Sequence, residues 1–250
     1  MAWRPSEDDE KKVPSPARLL SVGEGQGEGD CAAGILEGAS TGTEGGSGAW
    51  DQVDLYRLFA FVFGAPSAER FAWLQRPELP AWLAELWDVL GCEGALPSVT
   101  TFPDYEDYES TYVALFEVGL PAPPVPLQES AHDDSTPAPQ TVLENVSFYD
   151  VLGLRVDPAR YAPDHLVPQL EFLSAVRYAR ETTPDADNRA RLARLERDFL
   201  ERHLLNWLSA AQRKLSRENP PIFATFMTLL LAFAQSRIEE RSDGCRVVMK

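Results

Sequence analysis

The sequence predicts an all-α protein, a single compact helical domain behind a disordered N-terminal tail. Apolar side chains recur at helical spacing from Leu55 almost to the C-terminus, and no segment sustains the period-two, β-branched alternation of a strand. Hydrophobic residues make up 44% of the 250-residue chain. Few of the large ones lie in the first 49 residues, so the core belongs to the remainder.

Residues 1–49 read as tail. Ser21 to Gly48 is dense in Gly, Ser, Thr and Glu, a composition that buries too little apolar area to offset ordering entropy. Its alternating glycines, Gly23 to Gly29, match no phosphate-loop pattern, and the interleaved glutamates would repel phosphate. The folded domain spans residues 50–250. Leu55, Leu58, Phe59, Val62 and Phe63 mark a first helix, with Asp51 or Asp54 as its cap and Gly64 and Pro66 as its stop. Ala68–Leu74 is a short second helix. Pro80 opens a third that carries Trp82, Leu83, Leu86, Trp87 and Leu90. From Asp104 to Glu117, Tyr105, Tyr108, Tyr112 and Leu115 place one stripe on one face. Residues 119–140 break the pattern with prolines at 121, 123, 124, 126, 137 and 139, a Pro-rich loop of functional length. Helices are expected again over Val142–Leu152, stopped by Gly153, and over Asp164–Glu181. A long one over Asn188–Glu218 and a last one over Pro221–Glu239 follow.

The net charge of −16 is uneven. Pro77 to Leu154 holds fourteen Asp and Glu and no Lys or Arg, whereas residues 155–250 hold sixteen basic and thirteen acidic side chains. Such a field disfavours nucleic acid and anionic lipid and suits a cationic partner, or serves solubility alone. Cys31, Cys92 and Cys245 form no C-x-x-C pair, which fits a reducing compartment. No apolar segment follows the charged Glu7–Lys12 run, as a secretory signal requires. Ile222–Ala234 is shorter than the roughly 17–25 residues that cross a bilayer. A cytoplasmic protein without stable membrane insertion is expected.

Catalytic chemistry finds no pattern. His132, His165 and His203 lack metal-site spacing, and there is no nucleophile elbow, so no metal, cofactor or catalytic residue is assigned. The carboxylates of Asp104 to Glu109 read as a solvated face, and His203, a turn from Phe199 and Trp207, as a packed core histidine. Two segments are harder to explain as packing. One is Pro123-Pro124-Val125-Pro126-Leu127-Gln128-Glu129-Ser130. The other is Tyr161 to Leu173, in which Asp164 is placed to cap a helix while His165 faces outward.

These segments resemble the TorD/DmsD/NarJ-like redox-enzyme maturation chaperones. The resemblance rests on Tyr112-Val113-Ala114-Leu115-Phe116 leading into Pro123-Pro124-Val125-Pro126, and on Pro163-Asp164-His165-Leu166 leading into Leu170-Glu171-Phe172-Leu173. Phe148 to Leu154, Phe199 to Leu204 with Trp207-Leu208, and Leu55 to Leu58 extend it over about residues 50–240. Gln169 stands where the family commonly has an acid, and Val125 where an aromatic residue often follows the prolines.

The resemblance implies an all-helical chaperone, not an enzyme, acting as monomer or homodimer. Its implied partners are the apo catalytic subunit of a molybdenum enzyme and that subunit's twin-arginine leader, with export delayed until the cofactor is in place. The client would be of the dimethylsulfide or ethylbenzene dehydrogenase type, or of the selenate or chlorate reductase type. The implied site joins Tyr112 and Phe116 as apolar contacts to Pro124, Pro126, Glu129 and Ser130 of the loop, with Asp164 attracting a guanidinium and His165 shaping the rim. A structural or adaptor subunit, or an enzyme of unknown chemistry, are the alternatives.

Overall fold

Asp54 opens the first helix by accepting the Arg57 N–H at 3.3 Å, and α1 runs Leu55–Val62. The structure, a computed structural model, describes residues 54–97, 99–132, 135–218 and 221–244, with side chains as far as Ile238. The expected tail over residues 1–49 and the domain start at residue 50 lie outside the described residues, as do Cys31 and Cys245. Ser67 caps α2 (Ala68–Leu74), Pro80 sits in the first turn of α3 (Leu79–Val89), and Asp104 caps α4 (Tyr105–Phe116).

After the Pro-rich loop, α5 runs Ala138–Asp150. It starts four residues before the expected Val142 because Pro139 lies in its first turn, where no N–H is needed. Gly153 ends the element in a left-handed conformation, with φ of +69°. Then come α6 (Leu166–Thr182) and α7 (Ala186–Phe199). The latter passes through a π-turn, Leu200–Leu204, into α8 (Leu205–Leu215). The long helix expected over Asn188–Glu218 is thus continuous but carries one wider turn, which hydrophobic spacing alone did not mark. The last helix, α9, runs Pro221–Gly244. Among the described residues there is no strand; an isolated antiparallel bridge joins Gln128 to His165.

The core lies where α1 packs on α6, α6 on α7 and α8 on α9. Phe223 of α9 is its aromatic hub, meeting Phe116 at 5.2 Å, Phe102 at 5.9 Å and Tyr112 at 6.1 Å between ring centroids. One buried charge ties four helices together. Glu196 of α7 accepts from Tyr56 Oη of α1 at 3.1 Å, Arg180 of α6 at 2.6 Å and Arg237 of α9 at 3.4 Å. The apolar stretch of α9 is longer than the Ile222–Ala234 run: 18 residues, Pro221–Ile238, suffice by length and composition to cross a membrane, and half of that stretch is buried inside the protein.

Candidate functional site

The site grows from the way α4 ends. The N–H groups of Glu117 and Val118 both reach the Val113 carbonyl, at 3.0 and 2.9 Å. The chain then turns at Gly119, where a Cβ would fall 2.3 Å from the Ala122 oxygen, so only glycine fits. It doubles back until Val125 donates to the Leu115 carbonyl at 2.9 Å. Val125, Pro126 and Leu127 are buried, which explains why an apolar residue serves after the paired prolines.

From there the loop is sewn to the start of α6. Leu166 N–H donates to Leu127 O at 2.8 Å, Glu129 N–H to Asp164 O at 3.0 Å, and Ser130 N–H to the Asp164 carboxylate at 3.1 Å. This docking corrects the sequence reading of the helix start. The N-cap is His165, whose Nδ1 accepts the Val167 N–H at 3.1 Å, and Asp164 lies one residue outside. The loop offers Asp164 a donor of its own, so the cap passes to the next side chain. Neither residue projects outward: Asp164 is 1% exposed and His165 8%. Burial lowers the His165 pKa to about 4, which keeps the ring neutral at physiological pH. With Nδ1 accepting, the ring hydrogen sits on Nε2.

His165 lines a cleft of about 320 Å³ together with Tyr112, Phe116, Gln128, Arg160 and Tyr161. The Tyr161 ring lies 4.6 Å from the His165 ring, and its hydroxyl accepts the Ala65 N–H at 3.1 Å, tying this wall to the end of α1. Tyr112 donates its hydroxyl to Phe63 O at 2.8 Å, so it serves core and cleft at once. Pro123, Glu117, Ala65 and Ala162 complete the lining.

Tyr112, Phe116 and His165 thus line one cleft, whereas the other residues expected at the site do not line it. Pro124 is exposed beside Pro123, outside the cleft lining, and Pro126 is buried with its carbonyl 2.7 Å from His132 Nε2. Ser130 is engaged through its backbone. Glu129 is corrected outright: it is 3% exposed and points into the core. The 3-10 turn Glu129–Ala131 aims its carboxylate at Asn145 Nδ2, 2.9 Å, Gln169 Nε2, 2.7 Å, and His203 Nδ1, 3.0 Å. Asp164 as a guanidinium ligand is corrected on the same ground, because its carboxylate is buried and already holds Ser130. The unanticipated members with polar side chains are Gln128, Arg160, Tyr161 and Glu117. Gln128 and Tyr161 lie inside the two segments that resisted explanation as packing, but their direction depends on how those segments pair.

The electrostatics of the cleft are mixed. Arg160 and Glu117 both line it. Nearby Glu171 is pushed up to about 7 by burial, against the pull of Arg160, Arg57 and Arg70. Glu106, Asp107 and Glu109 stand exposed on α4. Among the described residues, no three His, Cys, Asp or Glu side chains are grouped to hold a metal ion.

Residues 78–212 match the family described as the nitrate reductase delta subunit. The chain belongs to that family. This is the grouping to which the Tyr112–Pro126 and Pro163–Leu173 segments pointed. Three relatives agree. The perchlorate reductase assembly chaperone protein of Dechloromonas aromatica (strain RCB) is 27% identical over 74% of this chain and 88% of its own length. The selenate reductase assembly chaperone protein of Thauera selenatis is 32% identical over 53% and 68%, respectively. The chlorate reductase assembly chaperone protein of Ideonella dechloratans is 30% identical over 44% and 58%. Within the delta-subunit family this chain has the role of an assembly chaperone and not of a catalyst.

Proposed function

We propose that this chain is a cytoplasmic chaperone for the apo catalytic subunit of a molybdenum oxidoreductase that reduces an oxyanion. It binds the subunit and its twin-arginine signal peptide, so that cofactor insertion precedes export. The relatives named for perchlorate, selenate and chlorate reductases support the client class.

The observation that carries the binding site is the cleft at the junction of the Pro-rich loop and α6. Its walls are aromatic, and His165 Nε2–H is the donor that the capping bond leaves to its ring. An extended peptide fits this chemistry: an apolar side chain between Tyr112, Phe116 and Tyr161, and a backbone carbonyl accepting from His165. Arg160 and the commitment of Asp164 make the cleft a poor place for a guanidinium. The leader's arginines belong outside it, near the exposed acids of α4, with Pro124 as a flanking contact.

The test is calorimetric titration of the full chain with a synthetic peptide carrying two adjacent arginines followed by an apolar stretch. Binding should weaken with rising salt and on replacement of both arginines by glutamine, and weaken separately when the apolar stretch is replaced by serine. Binding indifferent to the apolar stretch would remove the cleft from the account, and no binding at all would remove the leader.

A further inference from the structure

Among the described residues Glu129 is the most deeply placed charge of the Pro-rich loop, and its surroundings are nearly saturated. Gln169 donates to its Oε2 and also to Asn145 Oδ1 at 3.1 Å, while Gln169 Oε1 accepts from Trp207 Nε1 at 3.2 Å. Asn145 donates to Glu129 and to Thr141 O at 3.0 Å. His203 reaches the carboxylate from the π-turn, held between Phe148 and Phe199 at 5.1 and 5.0 Å between ring centroids. A carboxylate only accepts, so the imidazole hydrogen is on Nδ1, and Nε2 is left buried without a hydrogen-bond partner.

Such a cluster is a poor source of net stability, because desolvation offsets most of what the contacts return. What it supplies is uniqueness of docking, which a proline-rich loop cannot obtain from regular structure. It also grips the cleft from both sides. Gln128, a lining residue, precedes Glu129 directly. On the other wall, Tyr149 Oη lies 3.3 Å from Asn145 Oδ1 and 2.6 Å from the carbonyl of Pro163, two residues before His165.

We propose that Glu129, Asn145, Gln169 and His203 are positioning residues for the cleft: they hold Gln128 against His165 and so set the width that a bound peptide meets. The π-turn belongs to this device, since its wider turn carries His203 to the carboxylate. The inference rests on the reading of the cleft as the peptide site.

The reciprocal pair Glu129→Gln and Gln169→Glu tests it. Glu129→Gln turns an amide NH2 toward donors, whereas the added Gln169→Glu restores a donor–acceptor pair in the same place with the roles exchanged, Gln169 Nε2 and Glu129 Oε2 being 2.7 Å apart. Two readouts are taken on the full chain: amide hydrogen exchange over residues 125–131 and at Leu166, and affinity for the arginine-pair peptide described above. Glu129→Gln should speed loop exchange roughly tenfold or more and weaken the peptide by a similar factor, the scale of one lost bond to a charged group. The double variant should recover both, with exchange in α9 unchanged throughout. Loop exchange unchanged in Glu129→Gln overturns the proposal, as does loosened exchange with unchanged affinity. If the parent itself ignores the peptide, the functional reading falls, and the exchange data alone decide whether the cluster holds the loop. If Glu129→Gln does not fold, His203→Phe keeps the packing on Phe148 and Phe199, removes only the donor, and is read in the same way.

Discussion

The Ser130 N–H points at the Asp164 carboxylate across 3.1 Å, and Asp164 is 1% exposed, so an acid expected to face a ligand instead closes a loop onto a helix. Asp164→Ala should leave that N–H unsatisfied and cost about 1–3 kcal/mol, with faster proteolysis of the 119–132 segment. Asp164→Asn keeps an acceptor oxygen in place and should cost clearly less. Chemical denaturation and limited proteolysis of both variants check this, and equal losses would show that the charge, not the acceptor, holds the loop.

His165 lines the cleft with a ring whose Nδ1 caps α6, which leaves Nε2–H as the donor it can offer a ligand. His165→Ala should lose about 0.5–2 kcal/mol of stability through the cap. His165→Asn supplies a capping oxygen of comparable quality, so it should melt close to the parent and still bind the arginine-pair peptide more weakly. Paired melting and titration separate the duties; full affinity in a well-folded His165→Asn would place the donor elsewhere.

Glu171 gives a pH signature. Its folded pKa of about 7 lies above the ordinary carboxyl value of 4.5, so the folded protein binds the extra proton between these values. Its contribution to stability therefore falls as pH rises from about 4.5 to 7 and stays low above that. His165, shifted down to about 4, slopes the other way between about 4 and 6.5. Glu171→Gln removes only the first slope. It should match the parent near pH 4 and exceed it at pH 8 by on the order of 2–3 kcal/mol, seen in denaturation curves across that range.

Glu196 is a purely structural charge. Glu196→Ala removes the carboxylate that Tyr56 Oη and the guanidinium groups of Arg180 and Arg237 share in a largely buried setting, at a cost of about 3–5 kcal/mol. The variant should lose stability without any change in peptide affinity at temperatures where it remains folded, as melting and titration together would report.

Much of this architecture is local and was legible. Heptad-like stripes such as Tyr108, Tyr112 and Leu115, the cap at Asp54, and the stop at Gly153 act within a few residues, so the helices follow from the sequence alone. The two segments that hold the cleft were also visible, because a run such as Pro123–Ser130 has no packing explanation within its own neighbourhood. What each side chain does there was not. Whether Asp164 or His165 caps α6 depends on a backbone N–H contributed from 34 residues earlier, and Glu129 faces inward only because Asn145, Gln169 and His203 bring donors from α5, α6 and the π-turn. Gln169 offers Glu129 its NH2 group, which a second carboxylate at that place could not do. The sequence by itself determined the helices, their order and the family. Tertiary structure decided which polar groups are exposed and which are spent on one another, because the partners of a buried polar group are set by helices that meet in space far from its place in the chain.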